Sequence, residues 1–206
     1  MPQGVRATEM VIVHEFGHNF WYHLVASNEF EEPWLDEGIN TYSEIKIMHD
    51  IYGKETSMID FLGLKGDDLQ MRRYGYVFAP DNDVMLKKSW EFYGGGSYRA
   101  NAYSKPALGL LTLDYHLGGD VMTKILARFL ERFRFKHPRT GDFLAAANEV
   151  AGQDLSWFFN QLLYTNDILD YAVSFVSTDE VPAPKGVDYT QNAEGEKIGA
   201  PDAAGK

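Results

Sequence analysis

The side chains best suited to chemistry lie near the start of the chain, in the sequence VIVHEFGHNF that begins at Val11. His14 and His18 are four residues apart, so on a helix they lie one turn apart on one face, and both imidazoles can reach a single Zn²⁺. Glu15 points about 100° away from His14, where it can take a proton from a metal-activated water instead of binding the metal. Two helical histidines are often only structural, but this pair, with its glutamate in an apolar helix, favours a metal site.

Glu37 is the candidate for a third ligand, because a catalytic zinc commonly has three protein ligands and one open position. It is separated from His18 by 18 residues and lies inside the sequence Trp-Leu-Asp-Glu-Gly. If the chain returns antiparallel after a short connector, Glu37 comes alongside His18. The spacing does not require this geometry, and a carboxylate near a helix N-terminus is also favoured by the helix dipole alone.

Two predicted helices must position these residues. The first runs from an N-cap at Thr8 to about residue 25. Apolar residues cover nearly all of its faces, so we expect it to be buried. The second predicted helix covers residues 34–52 and ends before Gly53, a residue type that favours a helix end. A third helical stretch is predicted after Ser57, weakened by Gly63 and Gly66.

The rest of the chain is predicted to be a long loop followed by more helices. Residues 74–102 contain proline, asparagine, aspartate and a triple glycine, and a loop of this length often carries function. Caps and breaks then predict helices at 104–117, 120–135, 140–150 and 155–163. The predicted fold class is mainly α, a multi-helical segment with little β structure. Residues 1–170 are expected to form the helical domain. Residues 171–206 are expected to begin as part of a strand at 170–177 and to continue as a disordered acidic tail.

Composition narrows the classes of partner. The chain has 206 residues and a net charge of −11, which argues against nucleic acid, whose phosphates require Lys and Arg. No apolar run approaches the length of a membrane span, so no membrane partner is expected. Cysteine is absent, which excludes disulfides and thiolate ligands. A metal would therefore have to be held by His, Glu or Asp.

The combined pattern resembles the M1 aminopeptidases, a gluzincin family of zinc enzymes with a thermolysin-like catalytic domain. The resemblance rests on the His-Glu-x-x-His sequence, 18 further residues and then Glu37 within Trp-Leu-Asp-Glu-Gly. Two weaker matches follow in the family's order. The sequence from Tyr103, Tyr-Ser-Lys-Pro, resembles Tyr-x-Lys-Gly, and DLSWFF resembles a stretch near the end of the family's catalytic domain. The similarity covers roughly residues 9–165.

The resemblance implies a role for each site residue. His14, His18 and Glu37 would bind one zinc ion per chain. Glu15 would be the general base, and Tyr103 would donate its hydroxyl to the oxyanion of the tetrahedral intermediate. A phenol is a neutral donor at pH 7, so it suits a developing negative charge.

Two further side chains leave alternatives open. Tyr98, in the same predicted loop, is a rival for the donor role, although the position of Tyr103 just before a predicted helix is closer to the family arrangement. Glu44 lies two turns beyond Glu37 on the same helix face, so it could accept a hydrogen bond from a ligand imidazole. It could equally be a solvated helix carboxylate.

The resemblance also implies a peptide substrate and the removal of its N-terminal residues. The family's N-terminal β domain and its Gly-x-Met-Glu-Asn stretch, which helps to bind the substrate's amino group, are not found in this sequence. We therefore expect a segment of a longer protein, and two alternatives stay open. One is a zinc endopeptidase or another gluzincin hydrolase, and the other is a zinc-binding structural fragment without turnover. Apolar surface left by the missing domains would favour self-association.

Overall fold

Helices dominate the chain, as the sequence predicts. A computed structural model describes residues 4–79, 83–167, 175–178, 190–191 and 197–198. Contacts divide the chain into two units, Met1–Ile168 and Leu169–Lys206. The helices of the first unit are α1 (Ala7–His18), α2 (Ile39–Tyr52), α3 (Asp68–Val77), α4 (Gly95–Arg99), α5 (Lys105–Leu117), α6 (Val121–Phe133), α7 (Thr140–Ala151) and α8 (Ser156–Tyr164). Short π-helical turns cover Asn19–Leu24, Trp34–Gly38 and Ala100–Ser104, and a 3₁₀ turn covers Ser89–Glu91.

The predicted first helix is present, but it is not buried. It begins at Ala7, and a π-helical turn extends it to Leu24. His14 is the buried residue of α1, whereas Ile12 and Phe16 are 61% and 66% exposed. The expectation of burial was wrong because the helices of this unit pack against the His14 side of α1 and leave its opposite apolar side open. Self-association through apolar surface left by missing domains stays a prediction.

The second predicted helix is confirmed, with one local difference. Its first turn, Trp34–Gly38, is π-helical, and α2 continues the same helix to Tyr52. Gly53 ends it at a φ of +83°, a conformation that glycine adopts without strain. The close approach of this turn to α5 requires a second glycine, because a Cβ added to Gly38 would lie 2.6 Å from the Pro106 ring.

The prediction of a helix directly after Ser57 was wrong. An antiparallel hairpin forms instead from β1 (Ile59–Phe61) and β2 (Leu64–Gly66). Its two-residue turn has positive φ angles at both Leu62 and Gly63, which is the geometry that matches the twist of hairpin strands. The glycine that weakened the helical pattern is therefore a turn residue. Helix α3 follows, and Asp67 caps it by accepting a hydrogen bond from Leu69 N.

The predicted loop at 74–102 is shorter than expected. Helix α3 continues to Val77, and the triple glycine leads directly into α4. The π-helical turn Ala100–Ser104 then joins α4 to α5. Tyr103 therefore lies in a continuous helical segment and not in a loop, which limits the positions that its side chain can reach.

A buried aromatic cluster connects the start of the second helix to the C-terminal helices. Trp34, Phe129, Phe143 and Phe159 are fully buried. The Trp34 and Phe143 rings meet edge to face at 5.5 Å, a favourable arrangement for aromatic pairs. Trp34 Nε1 donates to Thr140 Oγ1 at 2.9 Å, so the buried indole N–H is satisfied. This cluster fixes the segment that presents Glu37.

The second unit is described at only a few residues. Thr190–Gln191 (β3) pairs antiparallel with Lys197–Ile198 (β4). Most of the predicted strand at 170–177 lies outside the described residues, and 175–178 have no regular structure. The predicted domain boundary and acidic tail therefore stay predictions. Among the described residues, no helix is both long and apolar enough to span a membrane.

Candidate active site

Helix α1 presents both histidines to one side of the molecule. The His14 and His18 rings lie nearly perpendicular, with their centroids 4.9 Å apart. The helix is held on α2 by Asn40, whose Nδ2 donates to the His14 backbone carbonyl at 2.7 Å. Gly17 permits this approach, because a Cβ at that position would lie 1.9 Å from Asn40 Oδ1. The glycine within the His-Glu-x-x-His sequence thus allows close helix packing.

Glu37 reaches the same point from the π-helical turn before α2. Its Oε2 lies 3.1 Å from His14 Nε2 and 3.6 Å from His18 Nε2. The candidate ligand atoms of these three residues all lie within 4.8 Å of one another. The other oxygen of Glu37, Oε1, accepts a hydrogen bond from the Tyr103 hydroxyl at 2.6 Å. Four residues that the sequence singled out are therefore in direct contact.

Each imidazole has a carboxylate within hydrogen-bond distance of its Nδ1 atom. His14 Nδ1 donates to Glu44 Oε2 at 2.8 Å, and His18 Nδ1 donates to Asp36 Oδ1 at 2.7 Å. The Glu44 side chain is fully buried, which decides between its two sequence interpretations. Asp36 was missed, although its position beside Glu37 could have suggested it. Metal-binding histidines commonly donate to carboxylates in this way, which fixes the tautomer with Nε2 free to bind.

The carboxylates favour positive charge at the histidines. Burial disfavours a charged His14 imidazole, but hydrogen bonds to Glu37 and Glu44 outweigh it and raise the pKa of His14 to about 9. A hydrogen bond to Asp36 likewise raises the pKa of His18 above its usual value. Burial would raise the pKa of Glu37, but hydrogen bonds from His14 and Tyr103 lower it. A cation at this position, whether a proton or a metal ion, is electrostatically stabilised.

An open cleft of about 430 Å³ lies over these residues. Glu15 lines the cleft and is exposed, so its carboxylate can meet a water or a ligand there. Tyr98 also lines the cleft, with its ring centroid 6.1 Å from that of Tyr103. Of the two tyrosines, Tyr103 is the one whose hydroxyl donates a hydrogen bond to Glu37.

Helix α3 adds two residues that the sequence analysis missed. Arg72 Nη2 donates to Glu44 Oε1 at 2.6 Å, and Arg72 Nε lies 3.3 Å from Asp68 Oδ1. Burial raises the pKa of Asp68 to about 8, and the neighbouring Glu44 acts in the same direction. No spacing from the histidines predicts these contacts, because they depend on the hairpin that turns the chain back towards α2.

The helical fold and its His-Glu-x-x-His helix, with Glu37 beside it, define a mainly α-helical domain with a candidate metal site. The Peptidase family M1 domain model matches residues 3–162. The chain belongs to peptidase family M1.

Known proteins that are similar to this chain agree with its assignment to peptidase family M1. The chain is 27% identical over 148 residues to leucine aminopeptidase 2 of Phaeosphaeria nodorum, covering 70% of this chain and 23% of that protein. It is 27% identical over 143 residues to leukotriene A-4 hydrolase of Xenopus laevis, covering 68% and 23%. It spans about a quarter of the length of these two relatives. An M1 zinc metallopeptidase from Deinococcus radiodurans shares the fold, with a TM-score of 0.60 and 19% identity over 79% of this chain and 34% of that one.

Proposed function

We propose that this chain carries the catalytic centre of a zinc aminopeptidase that removes N-terminal residues from peptides. His14, His18 and Glu37 are the proposed zinc ligands. The observation that carries the proposal is the convergence of their ligand atoms within 4.8 Å. Both histidines are oriented for this role by buried carboxylates on their Nδ1 atoms.

Two of the three distances between the ligand atoms are close to those expected around a zinc ion. Two ligands at about 2.0–2.1 Å from a tetrahedral zinc lie about 3.3–3.4 Å from each other. The separations of Glu37 Oε2 from the two Nε2 atoms, 3.1 Å and 3.6 Å, lie on either side of that value. Two imidazoles and one carboxylate are also a ligand set that catalytic zinc uses in proteins. The ligand types and these two separations support zinc as the ion bound here.

Each remaining residue has a role in peptide hydrolysis. Zinc held here would polarise the scissile carbonyl and make a water more acidic. The Glu15 carboxylate would accept a proton from the attacking water and deliver it to the leaving amine nitrogen. The Tyr103 hydroxyl would donate to the carbonyl oxygen as negative charge develops there. Burial, and then the hydrogen bond to Glu37, raise the pKa of Tyr103, so the phenol stays protonated at neutral pH.

Metal content tests the ligand assignment. Purified protein is expected to contain one zinc per chain, and His14→Ala should lose it, because two ligands hold zinc less tightly than three. Inductively coupled plasma mass spectrometry gives the stoichiometry. The assignment fails if the wild-type chain binds no zinc, or if His14→Ala binds it as tightly.

Turnover tests Glu15. Cleavage of an aminoacyl anilide should fall by about 10²–10⁴-fold in Glu15→Gln, because a general base contributes about that factor. Glu9→Gln is the matched control, since Glu9 is an exposed carboxylate on the same helix and its substitution changes the charge equally. Both variants should keep their zinc. Equal rates in Glu15→Gln and the wild type would reject Glu15 as the base.

The donor role of the tyrosines can be tested in the same assay. Tyr103→Phe is expected to lower kcat by about 10²–10³-fold, the usual effect of removing one oxyanion donor. Tyr98→Phe should have a much smaller effect, because Tyr103 is the tyrosine in contact with Glu37. The reverse order would assign the donor role to Tyr98.

The choice of substrate separates the proposed activity from its alternatives. An aminopeptidase should cleave a free peptide and reject the same peptide after N-acetylation. Equal cleavage of both would favour an endopeptidase. Stoichiometric zinc without hydrolysis of any peptide would favour a zinc-binding fragment without turnover.

A further inference from the structure

Arg72 lines the cleft of the candidate metal site and is connected to His14 through Glu44. Its Nη2 donates to Glu44 Oε1 at 2.6 Å, while the other oxygen of Glu44 accepts from His14 Nδ1 at 2.8 Å. The Arg72 and Glu44 side chains are 15% and 0% exposed. Each oxygen of this buried carboxylate therefore has its own partner, Arg72 on one side and His14 on the other.

The position of Arg72 is itself fixed. Its Nε faces Asp68 Oδ1 at 3.3 Å one turn earlier in α3, and the Asp68 side chain is 1% exposed. The start of α3 is tied to the end of α2, because Asp67 Oδ1 accepts from His49 Nε2 at 2.6 Å and from Ser57 Oγ at 3.1 Å. Asp68 and the attachment of α3 to α2 thus restrict the position from which the Arg72 guanidinium donates to Glu44.

The orientation of the Glu44 carboxylate depends on its hydrogen bond from Arg72. Without Arg72, the buried Glu44 carboxylate would lose its charged donor and keep only Asp68 as a neighbour on that side, which is unfavourable in a low-dielectric interior. The carboxylate would relieve this by rotating towards water. Its second oxygen would then move away from His14 Nδ1, and the imidazole would lose the acceptor that fixes its tautomer and its ring orientation. Such outer partners of a metal ligand typically affect metal affinity by about 10–100-fold.

We propose that Arg72 is a positioning residue for the metal centre, which holds Glu44 in the orientation that aims His14 Nε2 at the metal. A helix that contributes no ligand thereby sets the metal affinity of ligands carried by α1 and by the turn before α2. The inference deepens the proposed function and rests on it, because it requires zinc to bind at His14.

Zinc affinity of four proteins tests the inference, measured by competition with a chromophoric chelator. The wild type is compared with Arg72→Gln, Arg72→Lys and the matched control Arg73→Gln, whose exposed arginine is the next residue of the same helix. Arg72→Gln should bind zinc about 10–100-fold more weakly. Arg72→Lys should recover part of the loss, because it keeps a charged donor but lacks the planar fork that reaches both Glu44 and Asp68. Arg73→Gln should match the wild type.

A double-mutant cycle separates positioning from a general effect on the fold. If Arg72 acts through Glu44, then Arg72→Gln should cause no further loss of zinc affinity in a Glu44→Gln background. Losses that multiply would overturn the inference. Far-UV circular dichroism of the metal-free proteins identifies variants that do not fold. If Arg72→Gln is among them, Arg72→Lys decides alone, and an unchanged affinity in that variant overturns the inference.

The same measurements separate a failure of the proposed function from a failure of the role proposed for Arg72. A wild-type chain that binds no zinc contradicts the proposed function. A wild-type chain that binds zinc, together with an Arg72→Gln variant that folds and binds it equally tightly, contradicts only the role of Arg72.

Discussion

Gly17→Ala should loosen the contact between the two helical segments that carry the proposed ligands. A Cβ at position 17 would lie 1.9 Å from Asn40 Oδ1 and 3.0 Å from its Cγ. The Asn40 side chain is fully buried and donates to the His14 carbonyl at 2.7 Å. It therefore cannot turn away from a methyl group without breaking that hydrogen bond, and α1 cannot retreat without opening the site.

The magnitude follows from opposing contributions. Alanine favours the helix by about 1 kcal/mol over glycine. Against this, overpacking a filled interior typically costs about 1–3 kcal/mol, and a buried amide that loses its partner adds about 1–3 kcal/mol. We expect a net loss of about 3 kcal/mol. For a domain of this size, that loss lowers the Tm by about 6–12 °C.

Thermal unfolding of the metal-free proteins, followed by circular dichroism, measures this effect. Gly141→Ala is the matched control, because Gly141 is helical and a Cβ there would meet nothing within 4 Å. Its Tm should stay the same or rise. In an Asn40→Ala background, where the clash is gone, Gly17→Ala should cause no further loss. A Gly17→Ala protein as stable as Gly141→Ala would refute the packing argument.

Two further predictions concern the residues around the site. Thr140→Val should lower the free energy of unfolding by about 1–3 kcal/mol, because it leaves the buried Trp34 N–H without its acceptor. Urea unfolding measures this free energy. Thr112→Val, at an exposed threonine, is the control and should have little effect. Asp68→Asn should gain stability relative to the wild type as the pH rises. Burial, reinforced by Glu44, raises the pKa of Asp68 from 3.8 to about 8, so between these values the folded chain binds a proton that the unfolded chain has released. The wild type therefore loses up to about 1.4 kcal/mol per pH unit over this range, and the asparagine variant does not. Unfolding at pH 6, 7 and 8 measures the difference, and a difference that does not change with pH would contradict the prediction.

The parts of the structure that the sequence predicts are those set by local geometry. His14 and His18 share a helix, so their separation of one turn determines that they face the same side. Gly53 ends α2 as predicted, since a helix end is a local event as well. Glu37 could be predicted only as a candidate, because its approach depends on how the connector returns the chain. The hairpin was missed because Gly63 was interpreted as a weak point in a helix, whereas its positive φ closes a two-residue turn.

The candidate site contains residues placed by local helix spacing and residues placed by the path of the chain. Asp36 and Glu44 lie one residue before and seven residues after Glu37, so the helical segment that brings Glu37 to the histidines also brings an acceptor for each imidazole. Once that segment packs on α1, ligands and acceptors meet together, and one local pattern accounts for the arrangement. Arg72 differs, because its contact with Glu44 depends on the hairpin and on the capping of α3 by Asp67. The proposed ligand set therefore follows from two neighbouring helices, whereas the contact of Arg72 with Glu44 depends on a part of the fold that no spacing in the sequence predicts.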